Sequence, residues 1–585
     1  MLIPEDASPE TLASIERQDY PEHRIESSTA STAHDATLVL REGDMLAPGG
    51  LSALALELAL SGASAVAGLR VLYGDTVHGL DVPGLDARLD ESDGILFMAG
   101  AGTDWSSLSP EAKRRIGRPV ILRRGPAPLA GAPLSIVSVT GTGTVGGAGV
   151  AHRRLSEALS LAHHRVTHEI LSTRTAAAEW TDRFPEAEAR IAVARPDFVL
   201  VGNVHGATRS LDVVGRLAGA YPTALVLHDL FALTGRCCHP RDCTRAETGC
   251  DATCPTPDEY PPLAPRRIAG MHARKRAVLA APEGPLLLAN SAWTQARSEA
   301  LAPAPATTRP VSLAFPTGIF SPGDKAALRR RLGLPEGDVL IFVSSVIVDG
   351  PDKGFADLRD ALRAVARPGV GVGVVAIGRL DDPSKFGIDN LFAPGLVASE
   401  DALAAWYGAC DLHVTASRHE TLGQTPIEAG LCGVPTLAYR TSGLTTSVID
   451  GVSGRLVEPQ PGALAEALAD LVADEAVRQA LGAFARIAME NRYSPAAAAL
   501  SLDAVLRERG LIADGPARTA FAPMMLGHFP FAAERLRGAE GTVQAPSSPL
   551  VRRLRRTKQA VLGRRMPLIV RRCLYLASTL RGRAV

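Results

Sequence analysis

The chain has no long apolar run, few aromatic residues and no net charge. Its 585 residues carry 62 basic and 62 acidic side chains, and Phe, Trp and Tyr together make up 4%. Zero net charge leaves no electrostatic footprint for nucleic acid, and no series of aromatics stands ready to stack bases. The nearest approach to a membrane span, Leu51 to Leu72, contains Glu57 and a Ser-Gly-Ala-Ser break at 61–64. A spanning helix needs about 20 consecutive apolar residues, so this stretch reads as a helix, a turn and a strand. Neither a basic region nor an apolar signal core follows Met1, and the expectation is a cytoplasmic protein. Cysteine is sparse as well. Five of the eight fall between Cys237 and Cys254, while Cys410, Cys432 and Cys573 are scattered. In a cytoplasmic chain, one such cluster suggests a metal or local structure before a disulfide framework.

What remains is an ordinary globular composition, 46% hydrophobic and 21% charged, long enough for three or four domains. Residues 1–134 read as one unit. Within 135–310 the candidate strands are Leu134–Val139, Phe198–Val201, Ala224–Leu227 and Leu286–Ala289. Within 311–488 they are Val339–Ser344, Gly371–Ile377, Leu412–Ala416 and Thr436–Tyr439, with helical stretches at Ala356–Ala366, Asp401–Ala409 and Gly462–Ala473. Short apolar strands alternating with amphipathic helices predict parallel sheets covered on both faces, and two such blocks predict two doubly wound domains. The Pro-rich stretch Ala302–Pro310 is the expected linker. Ligands bind beyond the carboxyl ends of such strands, so chemistry is sought just after each one.

The segment 417–435, SRHETLGQTPIEAGLCGVP, follows a strand and opens a helix. Thr421, Leu422 and Gly423 lie at the expected helix start, where free N–H groups and the positive end of the dipole suit a diphosphate. Thr425 lies in the same turn. Glu428, about a turn further on, can accept from ribose hydroxyls, and Glu420, seven residues upstream, can reach sugar hydroxyls. This run resembles the Glu-x7-Glu motif of the retaining glycosyltransferases of family 4, which have the GT-B fold. The following Gly433-Val-Pro-Thr, Ser442-Gly-Leu and Asp450–Pro459 extend the resemblance. Upstream, Asp352-Lys353-Gly354-Phe355 resembles that family's Lys-Gly motif, whose lysine contacts the donor phosphates. Many relatives carry an Arg just before it, where this chain reads Ser345-Val-Ile-Val-Asp-Gly, which leaves one phosphate cation missing or replaced by Arg379 or Arg418.

The other wall of the cleft is expected after the strands of 135–310. The glycine-rich loop 145–151, containing Gly147, resembles the family's loop over the donor phosphates, although a tight strand-to-helix turn would look the same. His228 of Leu227-His-Asp229 resembles the family's histidine near the reacting sugar, able to donate to a hydroxyl or relay a proton. The alternative is a histidine that holds its loop. Asn203 and His205 also follow a strand and are expected to face the acceptor. Then come Cys237, Cys243, Cys250 and Cys254, a Cys-rich loop that resembles a branch of the family making colanic-acid-like exopolysaccharides. Ligand count points to a structural zinc, with reduced cysteines packing a loop as the alternative.

Both ends differ from this core. Residues 10–21 and 36–51 resemble the first helix and the strand, acidic motif and helix of the GT-A glycosyltransferases of family 2. Only about fifteen residues separate Pro21 from that strand, and the acidic pair is Glu42 and Asp44, so a decayed domain with a docking role is expected. Residues 551–585 carry eleven Arg and Lys and no acid, interleaved with apolar residues. They read as a basic amphipathic segment for an anionic membrane surface, or as a tail or a helix on the protein itself.

The resemblance implies an α/β protein: two facing Rossmann-like domains at 135–310 and 311–510, a small N-terminal α/β domain at 1–134, and a basic tail at 511–585. It implies a retaining transferase that needs no cofactor for catalysis. Such an enzyme would take a UDP- or GDP-linked sugar to a saccharide hydroxyl, on a lipid-linked acceptor at the inner membrane face, in polysaccharide synthesis for the cell envelope. A sugar-nucleotide epimerase would need acid–base residues at the sugar carbon, which the sequence does not offer. A non-catalytic sugar-nucleotide-binding scaffold is the alternative from another class.

Overall fold

The computed structural model describes residues 134–512 apart from 144–145, 162–163, 173–181, 351–352, 367–370, 381 and 398. Outside that range it describes 2–3, 26–27, 36–38, 40, 44–47, 49–73, 86–88, 95–98, 107–124 and 518–520. The helix expected at 10–21, Glu42 and the basic segment 551–585 lie outside the described residues.

Two six-stranded sheets, every neighbouring pair parallel, form the centre of the molecule. The first runs in the order Arg165–Ile170, Ser135–Thr140, Phe198–Val201, Thr223–Leu227, Leu286–Ala289, Thr308–Pro310. The second runs Leu391–Gly395, Val372–Arg379, Val339–Ile347, Leu412–Thr415, Thr436–Tyr439, Gly454–Val457. Continuous apolar runs such as FVLV at 198–201 and LLLA at 286–289 are buried at every position, as strands covered on both faces must be. Numbered within its own domain, the second sheet is 3-2-1-4-5-6, the doubly wound order. Its strand order reverses between Val339–Ile347 and Leu412–Thr415, and a ligand crevice belongs beyond their carboxyl ends. The first sheet reverses between Ser135–Thr140 and Phe198–Val201. This is the GT-B arrangement. The expected linker needs correction: Thr308–Pro310 is the edge strand of the first sheet, a place where proline is tolerated, so the crossing begins after Pro310.

The chain then returns. Helix Glu475–Tyr493 packs on the second domain's Gln424–Leu431 helix, and helix Pro495–Glu508 packs on Gly146–Leu161 of the first domain. Those two helices also carry the N-terminal unit, a mixed seven-stranded sheet with helix Gly50–Ser61 against it. Leu51–Leu72 is thus a helix and the strand Ala65–Tyr73, and no helix among the described residues is long and apolar enough to cross a membrane. The docking is specific. Ser494 donates to Gly117 O at 2.6 Å, Asn491 donates to Ala53 O at 3.0 Å, and Arg492 lies 3.3 Å from the Glu57 carboxylate.

The strand Lys113–Arg124 approaches so closely that a Cβ on Gly117 would lie 2.2 Å from Ala497 N. Gly117→Val should therefore destabilise by about 1–3 kcal/mol, as overpacking does. Gly219→Ala, whose added Cβ meets nothing within 4 Å inside a helix, should be neutral or stabilising by up to about 1 kcal/mol. Urea midpoints of the two variants check both signs.

Candidate functional site

The donor wall is built at the reversal point of the second sheet. Lys353 lies beyond the strand Val339–Ile347 and Glu420 beyond Leu412–Thr415. Gly354, at φ 66°, makes their meeting feasible, since a Cβ there would lie 2.1 Å from Ala416 O at the end of the neighbouring strand. Lys353 Nζ sits 2.5 Å from Glu420 Oε1. Burial works against the Glu420 charge, but Lys353 and its hydrogen bond hold the carboxyl below the usual carboxylate range. The Ser442 loop holds this residue too: Glu420 N donates to Ser442 Oγ at 2.9 Å, while Gly443 N donates to Glu420 O.

Helix Gln424–Leu431 follows, with Gly423 at its N-terminus in a positive-φ conformation. Thr425 is half-buried in its first turn and Leu422 packs in the core, so Leu422 can offer only its backbone. Arg418, one of the two expected replacements for the missing phosphate cation, pairs with Asp357 at 2.7 Å and lies over the Tyr439 ring. Arg379 ends the strand Val372–Arg379 with its side chain exposed.

The acceptor wall stands opposite, and the two walls touch. Gln424 Nε2 donates to Gly147 O at 2.9 Å. Thr421 Oγ1 donates to His228 O at 2.7 Å, and Thr421 O accepts from Ser291 and from Thr294. Thr421, whose backbone N–H is the group expected for the donor, thus has its hydroxyl and carbonyl bonded across the cleft. Behind it, Arg154 of helix Gly146–Leu161 reaches Glu428 Oε1 with both terminal nitrogens at 2.9 Å and Glu400 with Nε at 3.1 Å. Tyr407 OH lies 3.3 Å from Glu428 Oε2. All of Arg154, Tyr407 and Glu428 are buried. Burial raises the Glu428 pKa in spite of Arg154, and it raises Tyr407 far further. Sequence reasoning missed Arg154. Ala151, Leu155 and Ala158 are buried on the same helical face, and an arginine amid them was the available signal.

His228 is buried, its Nε2 3.3 Å from His152 Nδ1, and burial pushes its pKa down to about 4. It is neutral at pH 7, a hydrogen-bonding group and not a cation. Asp229, beside it, gathers the expected acceptor residues. Its Oδ2 receives Asn203 Nδ2 at 2.8 Å and His205 Nε2 at 2.9 Å, and His205 Nδ1 meets Tyr260 OH at 3.0 Å. The ligand atoms of His205, Asp229 and Cys238 lie within 4.8 Å of one another, yet Asp229 is already satisfied by these bonds and by Phe231 N. Cys237, Cys243, Cys250 and Cys254 lie in the following loop around one small cavity. A far larger cavity, about 1140 Å³, lies between the N-terminal sheet and helix Pro495–Glu508 and is lined by none of the expected site residues.

Residues 337–474 match the family model described as Glycosyl transferases group 1. The chain is 34% identical over 190 residues to the D-inositol 3-phosphate glycosyltransferase of Acidothermus cellulolyticus, covering 29% of this chain and 42% of that one. Its counterpart in Streptosporangium roseum is 34% identical over 200 residues, 31% and 45% of the two chains. The chain thus spans less than half the length of the relatives it matches. Among solved structures, it resembles Anabaena HepE in complex with UDP-glucose at 19% identity and a TM-score of 0.48, covering 64% of this chain and 100% of that one. It also resembles sucrose-phosphate synthase from Thermosynechococcus elongatus at 19% identity and a TM-score of 0.49, over 64% and 99%.

The contacts between the two domains and their buried histidines lead to two predictions. Arg154→Leu leaves the Glu428 carboxylate buried and unpaired and should cost about 3–5 kcal/mol, with Arg154→Leu/Glu428→Gln costing less than the sum of the single changes. Chemical denaturation of the four proteins measures the coupling. Second, burial lowers His228 to about 4 and His413 to about 3, against an ordinary value near 6.5 in the unfolded chain. The unfolded state then binds more protons as pH falls from about 6.5 toward these values, so stability present at neutral pH is lost over that window. Urea midpoints between pH 7 and pH 5 should fall, and His413→Asn should flatten the slope.

Proposed function

We propose that the chain transfers a sugar from a nucleoside diphosphate sugar to a hydroxyl of a saccharide acceptor, with retention of anomeric configuration. The observation that carries this reading is the Lys353–Glu420 pair at the reversal point of a 3-2-1-4-5-6 sheet. It stands beside the N-terminus of helix Gln424–Leu431, where Thr421 bonds His228 O and Gln424 bonds Gly147 O. In this reading Lys353 and the amides of Thr421, Leu422 and Gly423 stabilise charge growing on the leaving diphosphate. Glu420 orients the sugar hydroxyls and Glu428 the ribose. His228, kept neutral by burial, donates to or accepts from the sugar without repelling Lys353. Asn203 and His205, fixed by Asp229, face the acceptor. Contact between the walls excludes water from the reacting centre once the donor is enclosed.

The donor is a UDP- or GDP-sugar. The acceptor is a lipid-linked saccharide, reached at an anionic membrane surface through 551–585 in the synthesis of a cell-surface polysaccharide. The N-terminal sheet, reminiscent of a GT-A domain without its full cradle, serves docking alone. A second reading, a sugar-nucleotide-binding scaffold without catalysis, draws on one observation: Arg154 and Tyr407 occupy the carboxylate that would hold the ribose.

Calorimetric titration of the full chain with UDP- and GDP-linked sugars tests the site, followed by donor consumption with saccharide acceptors and D-inositol 3-phosphate. Selective binding is expected, weakened at least about tenfold by Lys353→Ala, roughly the cost of one charged contact, and similarly by Glu428→Ala. Binding without turnover in any membrane extract favours the scaffold. Absence of binding by folded protein overturns both readings.

A further inference from the structure

We infer that Tyr260 is the platform on which the terminal sugar of the acceptor stacks, and that this sugar is a neutral ring. The inference rests on the transferase reading above and names the part of the acceptor that the first domain grips.

Tyr260 combines exposure with fixity. Its side chain is 57% exposed. A single exposed aromatic is ordinary on a protein surface, but this one is held at both ends. On the backbone side, Arg236 donates from Nη1 to Glu259 O at 2.6 Å and to Pro261 O at 3.2 Å, the carbonyls before and after Tyr260. Arg209 donates from Nε to Pro262 O at 3.1 Å and from Nη1 to His205 O. Both arginines are buried. Burying a guanidinium is costly unless its donors find acceptors, and these two find them in the carbonyls around one exposed ring.

The phenol is tied down as well. The Asp229 carboxylate only accepts, and its Oδ2 meets His205 Nε2 at 2.9 Å. In the neutral imidazole the proton therefore sits on Nε2, Nδ1 accepts, and Tyr260 OH is the donor in their 3.0 Å contact. The His205 ring lies between two others, its centroid 5.3 Å from Phe231 and 5.4 Å from Tyr260, the latter nearly perpendicular at 75°. A phenol whose proton is committed in this way still offers its oxygen to a sugar hydroxyl. The ring offers its face to the apolar C–H side of a pyranose.

The surroundings select for charge. Burial works against the Asp229 charge, but His205 and the Phe231 N–H hold the carboxyl below the usual carboxylate range, so it is an anion at pH 7. Arg209 and Arg236 are spent on carbonyls, and Arg241 pairs with Glu259 at 3.2 Å. A carboxylate beside an aromatic face suits a neutral sugar and disfavours a phosphorylated polyol. The position suits the acceptor too. His239, on the same loop and open to solvent, lies within electrostatic reach of Asp229 on its own wall and of Glu420 and Lys353 on the other.

Saturation-transfer NMR on the full chain tests this, with methyl glycosides of common hexoses as neutral probes and D-inositol 3-phosphate as the anionic one. At least one glycoside should bind, with the strongest transfer on one face of its ring, and D-inositol 3-phosphate should bind more weakly. Tyr260→Leu should weaken the glycoside about threefold to tenfold, the worth of one aromatic contact. Tyr260→Trp should retain it, and Phe484→Leu, which removes another exposed ring on helix Glu475–Tyr493, should leave it unchanged. If Tyr260→Leu does not fold, protection of Tyr260 from nitration by the bound glycoside decides. No glycoside bound by folded wild type, equal binding by Tyr260→Leu, or tighter binding of D-inositol 3-phosphate would each overturn the platform. Calorimetry with UDP and GDP separates this from the donor site. Nucleotide binding without glycoside binding overturns the platform alone, and glycoside binding lost in Tyr260→Leu without any nucleotide binding supports the platform and overturns the donor reading alone.

Discussion

Arg154 extends from the first domain into the second with almost no exposed surface, and a guanidinium so placed is costly unless its donors find acceptors. It meets two, Glu428 and Glu400, and both belong to the other domain. The cost of burying these charges is offset only when the two domains adopt one relative position. That position puts Thr421 under His228 O and Gln424 against the Gly147 loop. The ion pair adds direction to the apolar contacts between the cleft walls, because hydrophobic burial is non-directional and a hydrogen-bonded guanidinium is not.

Much of this was legible beforehand, for identifiable reasons. Strands buried on both faces are read directly as apolar runs, so Phe198–Val201, Leu286–Ala289 and Thr436–Tyr439 were located to the residue, and helix Phe355–Val365 began one residue before its expected start. Lys353 and Glu420 lie 67 positions apart. Their meeting was foreseeable because the doubly wound order brings the ends of strands one and four together. Arg154 was not foreseeable by motif. Only its partner across the cleft explains its burial. The Pro-rich stretch before 310 misled because proline marks linkers and sheet edges alike.

The loop after His228 and the N-terminal sheet solve a common difficulty by different means. The loop has only the small apolar cluster of Leu263, Ile268 and Met271, whereas the sheet keeps a core of its own around Leu54, Val66 and Val120 and must still be fixed to the rest of the chain. The loop is held by directed polar contacts, above all those of Arg236 to Glu259, Pro261 and Thr256. The sheet and its helix Gly50–Ser61 lean on helices Glu475–Tyr493 and Pro495–Glu508, with Ala53 O and Gly117 O accepting from Asn491 and Ser494. In both, directed hydrogen bonds fix a position that apolar burial alone leaves open.

The doubly tied Thr421 has a thermodynamic implication. Its hydroxyl and its carbonyl are both spent on the first domain, so any occupant of the cleft must first break bonds that water can replace only after the walls part. Occupancy is then governed by two equilibria in series, and the apparent affinity for any ligand is its intrinsic affinity reduced by the fraction of molecules standing open. Weak apparent affinity in such a molecule measures the strength of its own clasp as much as the fit of the guest.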